Sequence, residues 1–258
     1  KSIGITGSNG KTIVKEWLNF LLSPNHLIVR NPKSYNSQVG VPLSILGIEG
    51  NYDFGIFEAG ISLPNEMLQL EQIIQPKYGI LTNIGSAHDE GFNNREAKIK
   101  EKIRLFDNCS DVFLEQNSAI ENLLPTAIKK HTWSFTDANA PLFVTQKSTN
   151  GSVELTFKTE INKFSITSPF SDANAIENII TCVNFMPFLG EEITFIQKRV
   201  VELYPVELRL QAKKGINNCL IVDDSYSLDY QSLKIALDFL EQQKLHDKKT
   251  IILSDIFS

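Results

Sequence analysis

Glycine, lysine and threonine stand together in Thr6-Gly-Ser-Asn-Gly-Lys-Thr12, between the apolar run Ser2-Ile-Gly-Ile-Thr6 and an amphipathic stretch, Thr12–Leu22. A strand, a tight turn and a helix start in that order make a cradle for a nucleotide triphosphate. Backbone N–H groups of Gly7, Ser8, Asn9 and Gly10 converge on phosphate oxygens, and the helix dipole adds partial positive charge there. Lys11 would reach the β/γ-phosphates of ATP, and the Thr12 hydroxyl would ligate Mg²⁺. The strict G-x-x-x-x-G-K-[ST] pattern is not met, because Ile5 holds its first glycine position. A shorter variant stands in its place.

Further polar groups follow apolar runs. Glu58 closes the run in Phe57-Glu-Ala-Gly-Ile-Ser62; beside a phosphate turn it reads as a magnesium ligand, and otherwise as a turn-exposed carboxylate. His88 lies in Thr82-Asn-Ile-Gly-Ser-Ala-His-Asp-Glu-Gly-Phe92, where it is either a ligand or a solvated loop histidine. Lys98-Ile-Lys-Glu-Lys-Ile-Arg-Leu-Phe106 reads, on spacing alone, as a solvated helix face.

These groups need a frame. Near-continuous apolar strands at His26–Arg30, Tyr52–Glu58, Tyr78–Asn83 and Asp111–Leu114 alternate with helical patterns at Thr12–Leu22, Pro64–Ile74 and Arg95–Phe106. That alternation predicts an α/β fold: a P-loop-type, mostly parallel sheet with helices on both faces. Ligands of such sheets sit beyond the carboxyl ends of the strands, where the polar clusters fall. Ser62-Leu-Pro-Asn-Glu66 looks like a helix entry with a hydroxyl cap. Leu142–Gln146, Val153–Lys158 and Lys163–Thr167 alternate apolar and polar residues, predicting an antiparallel meander appended to the sheet.

Asn174–Phe188 and Glu191–Leu203 read as helices. Strands at Leu208–Ala212, Cys219–Asp223 and Thr250–Leu253 around a helix at Tyr230–Gln243 predict part of a second, Rossmann-like α/β domain. We expect a boundary near residue 188, giving domains 1–188 and 189–258. Both ends look cut, so a piece of a longer enzyme is expected.

Composition narrows the class. The chain has 258 residues, 42% of them hydrophobic, and a formal net charge of −5. That suits a sizeable core and gives no basic surface for nucleic acid. No apolar run is long enough to span a bilayer. Cys109, Cys182 and Cys219 lack metal spacing and read as small buried hydrophobes of a cytoplasmic protein.

Taken jointly, T-G-S-N-G-K-T, E-A-G-I-S, T-N-I-G-S-A-H-D-E-G-F and E-K-I-R-L-F resemble the central domain of the Mur ligases, the ATP-dependent amide-forming enzymes of peptidoglycan assembly. Arg209-Leu-Gln and Ile221-Val-Asp-Asp-Ser-Tyr-Ser-Leu-Asp229 resemble the start of their C-terminal domain. Asn36-Ser-Gln-Val-Gly-Val-Pro42 and Asp223-Asp-Ser-Tyr226 point to the type that adds D-alanyl-D-alanine to UDP-N-acetylmuramoyl-tripeptide.

The resemblance implies two Mg²⁺ ions held by Thr12, Glu58, His88 and a lysine carbamylated by CO₂. That lysine is Lys102, fourteen residues past His88, or Lys100 if the register slips by two. Asn174 and Asn178 would lie on the adenine side of ATP, and Arg209 would approach the nucleotide from the C-terminal domain. Asn36, Ser37, Ser225 and Tyr226 would meet substrate. Asp224 would act as base or clamp, a choice the residues leave open. Ser227 and Tyr230 replace the family's usual Asn and Pro, which blurs the choice of amino substrate. The family's UDP-sugar domain is not among these residues, so the isolated piece is expected to be inert. Some members carry a fused alanine racemase. The competing readings are another Mur ligase, a folylpolyglutamate-synthase-like ligase, or a P-loop ATPase or binding module that makes no amide.

Overall fold

The structure is a computed structural model, and it describes residues 1–84, 92, 94–149, 152–206, 211–223, 230–242 and 248–253. The first half alternates strand and helix: β1 (Ser2–Thr6), α1 (Lys11–Leu22), β2 (Ile28–Arg30), α2 (Gly40–Leu46), β3 (Phe54–Glu58) and α3 (Glu66–Ile74). It continues through β4 (Tyr78–Leu81), α4 (Arg95–Ile103), β5 (Asp111–Glu115), α5 (Ser118–Glu121) and β6 (Lys129–Ser134). Three strands follow: β7 (Leu142–Thr149), β8 (Ser152–Lys158) and β9 (Lys163–Ser168). Then come α6 (Ala173–Phe185), α7 (Ile193–Val200), β10 (Gln211–Lys214), β11 (Leu220–Asp223) and α8 (Tyr230–Gln242).

β1 to β9 form one sheet in the order β2-β3-β1-β4-β5-β6-β7-β8-β9. Pairing is parallel from β2 across to β7 and antiparallel from β7 to β9. The expected meander is therefore continuous with the main sheet. β7 joins β6 in parallel through Trp133↔Leu142 and Ser134↔Phe143. The strand β6 and the helices α2 and α5 were not anticipated.

Period-two alternation feeds a core on each face. Ile56, Ile80 and Phe113 point to one side, where α1, α6 and α7 contribute Leu18, Ile179 and Ile196. Their neighbours Phe57, Leu81, Val112 and Leu114 meet Met67, Leu70 and Phe106 on the other. On that second face Gly79 admits the Phe106 ring, since a Cβ there would sit 2.4 Å from its Cδ1.

Burying Val14, Leu18, Leu21 and Leu22 completely is worth roughly 1.5–3 kcal/mol for each side chain. It fixes α1 on the sheet. α7 clamps the outer side of α1: the Arg199 guanidinium lies 4.0 Å from the Phe20 ring centroid and donates to the Phe20 carbonyl at 2.8 Å. The Trp17 indole N–H donates to the Tyr204 carbonyl at 3.0 Å.

Several expectations are corrected. The entry to α3 has no hydroxyl cap from Ser62; the Glu66 carboxylate instead accepts the Ser62 and Leu63 N–H groups at 2.7 and 2.9 Å. β10 and β11 pair antiparallel as a separate two-stranded sheet ahead of α8. Residues 250–253 form no strand, because no described strand pairs with them, and Ile252 is 94% exposed. Cys109 and Cys182 are buried as expected, but Cys219 is exposed.

Candidate active site

The turn between β1 and α1 requires its glycines. Gly10 has φ 84°, and a Cβ there would fall 2.3 Å from the Asn178 side-chain oxygen. Gly7 has φ 149°, with the Thr82 hydroxyl 2.0 Å from where its Cβ would be. The turn is buttressed by the end of β4. The Asn83 carbonyl accepts from the Ser8 N–H at 2.7 Å, and the Asn83 side-chain oxygen accepts from the Asn9 N–H at 2.9 Å. The Thr82 hydroxyl donates to the Asn9 carbonyl at 2.6 Å.

The Ser8 and Asn9 amides are thus engaged inside the protein. The N–H groups at the start of α1 follow Gly10, which has no side chain to cap them, and an anion suits such a helix end. Lys11 Nζ folds onto the turn, donating to the Gly7 and Ser8 carbonyls at 2.9 and 3.0 Å. The Asn9 side-chain nitrogen is buried with no hydrogen-bond partner among the described residues.

Other candidates gather around this turn from distant segments. Glu58 is fully buried at the end of β3, beside β1 through the register pair Ile5↔Glu58. Thr12 is buried, with its hydroxyl 3.2 Å from that of Ser34. Lys102 is buried on α4, and its Nζ donates to the Gly7 carbonyl at 3.1 Å. Lys100 points away: it is exposed and pairs with Glu96 at 2.6 Å. Of the two, Lys102 is the one beside the phosphate turn, and buried Lys98, Glu101 and Lys102 show that this face of α4 is not solvated.

Asn178 is buried against Gly10 at the phosphate turn, whereas Asn174, half-buried, stands one turn earlier on α6. Asn36 packs on Gly60 and accepts the Gly60 N–H on its carbonyl at 2.8 Å, joining its loop to the Glu58 segment. The Ser37 hydroxyl accepts from the Gly40 N–H at 3.2 Å, a helix-starting role. His88, Arg209, Asp224, Ser225 and Tyr226 lie outside the described residues. Among the described residues, no group of three His, Cys, Asp or Glu side chains is placed to hold a metal.

Several groups escaped the sequence reading. Lys15 is fully buried and touches the backbone before Ser34 as well as Glu58. Asn31, also buried, brackets Glu58: its nitrogen donates to the Glu58 carbonyl at 3.0 Å, and its oxygen accepts the Glu58 N–H at 3.1 Å. A signal for Lys15 was present, since residues 11, 15, 18 and 22 recur on one helix face with apolar companions. Glu177, between Asn174 and Asn178, has its carboxyl pushed up to about 7 by burial, then by the charges of Glu115 and Asp172.

Residues 5–186 match the Mur ligase middle domain. The chain belongs to the Mur ligase family. Among curated Mur ligases, UDP-N-acetylmuramoyl-tripeptide–D-alanyl-D-alanine ligase of Borreliella burgdorferi is 30% identical over 98% of this chain and 55% of its own length. The Bacillus subtilis enzyme of the same name is 25% identical over 98% of this chain and 56% of its own. The chain thus spans about half the length of these relatives. In fold it is similar to MurF from Acinetobacter baumannii, with TM-score 0.83 and 23% identity over 94% of this chain and 54% of that one. MurF from Thermotoga maritima in complex with ADP gives TM-score 0.80 and 24% identity over 93% and 57%.

Proposed function

We propose that the intact protein is an ATP-dependent amide ligase that joins D-alanyl-D-alanine to UDP-N-acetylmuramoyl-tripeptide in the cytoplasm. The names of the curated relatives support the substrate pair. The observation that carries the reading is the buried Lys102, which α4 brings from a distant segment to donate to the Gly7 carbonyl of the phosphate turn.

In this reading an oxygen of the acceptor carboxylate attacks the γ-phosphorus and ADP leaves. The dipeptide amine then attacks the acyl carbon, loses a proton, and expels phosphate. Phosphoryl transfer depends on positioning and charge neutralisation more than on covalent help from the protein. The α1 amides and Lys11 would hold the phosphates, with Asn178 fixing the turn and Asn174 facing the nucleoside. Thr12, Glu58, His88 and a carbamylated Lys102 would hold magnesium. Magnesium, when bound, neutralises phosphate oxygens and draws oxygen ligands around it. Carbamylation, in which the ammonium sheds a proton and the neutral amine adds CO₂ with loss of a second proton, would turn the cation into an anion with two oxygens.

The test is phosphate release by the full-length protein. Release that requires both the UDP-sugar tripeptide and D-alanyl-D-alanine is expected. Preference for a single amino acid or glutamate would move it to another ligase, and hydrolysis without an acceptor would make it an ATPase.

A further inference from the structure

Lys15 sits one helical turn beyond Lys11 on the buried side of α1, with no exposed side-chain surface. Its Nζ donates to the Asn31 carbonyl at 2.8 Å and to the Lys33 carbonyl. It lies 3.2 Å from Glu16 Oε1 and 3.9 Å from Glu58 Oε1. Two carbonyls and two carboxylates surround an ammonium that has three donors to give. Stability alone is a poor reason for such a group, because a well-packed apolar side chain often serves as well or better than a buried ion pair.

What the ammonium does is join three pieces of chain at one point. They are α1 with the phosphate turn, the loop that brings Ser34 to the Thr12 hydroxyl, and the end of β3 that carries Glu58. Lys33 in that loop has φ 48°, a backbone conformation costly for a side-chain-bearing residue. Its carbonyl is one that Lys15 captures. Asn31, the other captured residue, fixes the Glu58 backbone from both sides.

We propose that Lys15 is a positioning residue that holds Glu58 and the Thr12–Ser34 contact in the arrangement a magnesium–nucleotide complex needs. The inference rests on the proposed function, because it takes Thr12 and Glu58 as the magnesium side of the site.

The experiment is calorimetric titration of the full-length protein with ADP across a magnesium series, for unaltered protein, Lys15→Met and Lys15→Gln, with melting temperatures taken without metal. For both variants, the magnesium concentration giving half-maximal enhancement of ADP binding should rise roughly 10–100-fold, as when a group supporting metal ligands is lost. ADP affinity without magnesium should stay nearly level. Unchanged or tighter magnesium dependence overturns the proposal, whatever happens to melting. Failure of both variants to fold also overturns it, in favour of a purely structural lysine. If the unaltered protein shows no magnesium-dependent ADP binding, the proposed function falls and this inference with it.

Discussion

Toward the amino ends of β5 and β6, Asp111 and His131 meet at 2.8 Å, and the Ser110 hydroxyl donates to the same carboxylate at 2.7 Å. Burial raises the Asp111 carboxyl, but the hydrogen bonds and charges of His131, Ser110 and Lys129 outweigh it and hold the group below the usual range. The His131 ring stacks on Phe113 at 4.5 Å. At the carboxyl ends the same sheet does the reverse. Glu115, Asp172 and Glu177 are all pushed upward, burial being the largest cause for each. Nearby, Lys15, Glu58, Lys98 and Lys102 are buried ionisable groups. At the amino end the Asp111–His131 pair is favourable, although burial pushes the nearby Asp107 carboxyl upward. The other end buries ionisable groups against their preference for water, a pattern common where charged ligands bind.

The largest effect that would break this contrast comes from Lys102. Lys102→Ala should lower ligation by the full-length enzyme roughly 10²–10³-fold or more, on the scale of losing one charge-stabilising group. Short carboxylic acids should restore part of the rate. Full activity in steady-state assays of the variant would remove Lys102 from the chemistry.

Gly10→Ala places a Cβ at φ 84° and 2.3 Å from the Asn178 oxygen. It should cost about 1–3 kcal/mol in denaturant unfolding and weaken ADP binding in calorimetry.

Glu177→Gln sharpens the contrast through pH. A carboxyl raised to about 7 in the folded state contributes stability that is complete below its unfolded pKa and fades as pH rises through 7. The variant, free of that loss, should melt at a higher temperature than the unaltered protein at pH 8, with the difference closing below about pH 4.5. Equal melting curves at pH 8 would show that neither burial nor the neighbouring acids penalise the Glu177 charge.

The smallest effect belongs to the other end. The lowered Asp111 carboxyl adds stability that is present above its unfolded pKa and lost as pH falls through the folded one. Asp111→Asn should therefore cost no more than about 1 kcal/mol near neutrality. It should also blunt acid unfolding as pH falls below about 4, as followed by circular dichroism.

Much of this arrangement was legible from residue order. Thr6–Thr12 announced the turn because glycines at fixed offsets admit few alternatives, and Glu58 announced itself by ending an apolar run. Strands β3, β4 and β5 were readable because two-sided burial leaves continuous apolar runs. β6 was not, since Lys129-Lys-His-Thr-Trp-Ser134 has a polar start that only its neighbour β5 explains. Lys102 could be singled out only by resemblance: on spacing its helix looks solvated, and burial of its face comes from packing against α3 and the phosphate turn. Lys15 shares the apolar face of α1, but its role depends on the Asn31 and Lys33 carbonyls, which only the fold brings to it.

The Trp17 indole bond to the Tyr204 carbonyl turns α1 into the receiving end of a mechanical linkage. With Arg199 gripping the carbonyl of Phe20, a tug on the chain after Leu203 is delivered to the middle of the rod whose tip carries the glycine turn. Arg199 and Tyr204 thus hold at two points the same rod whose tip carries Lys11.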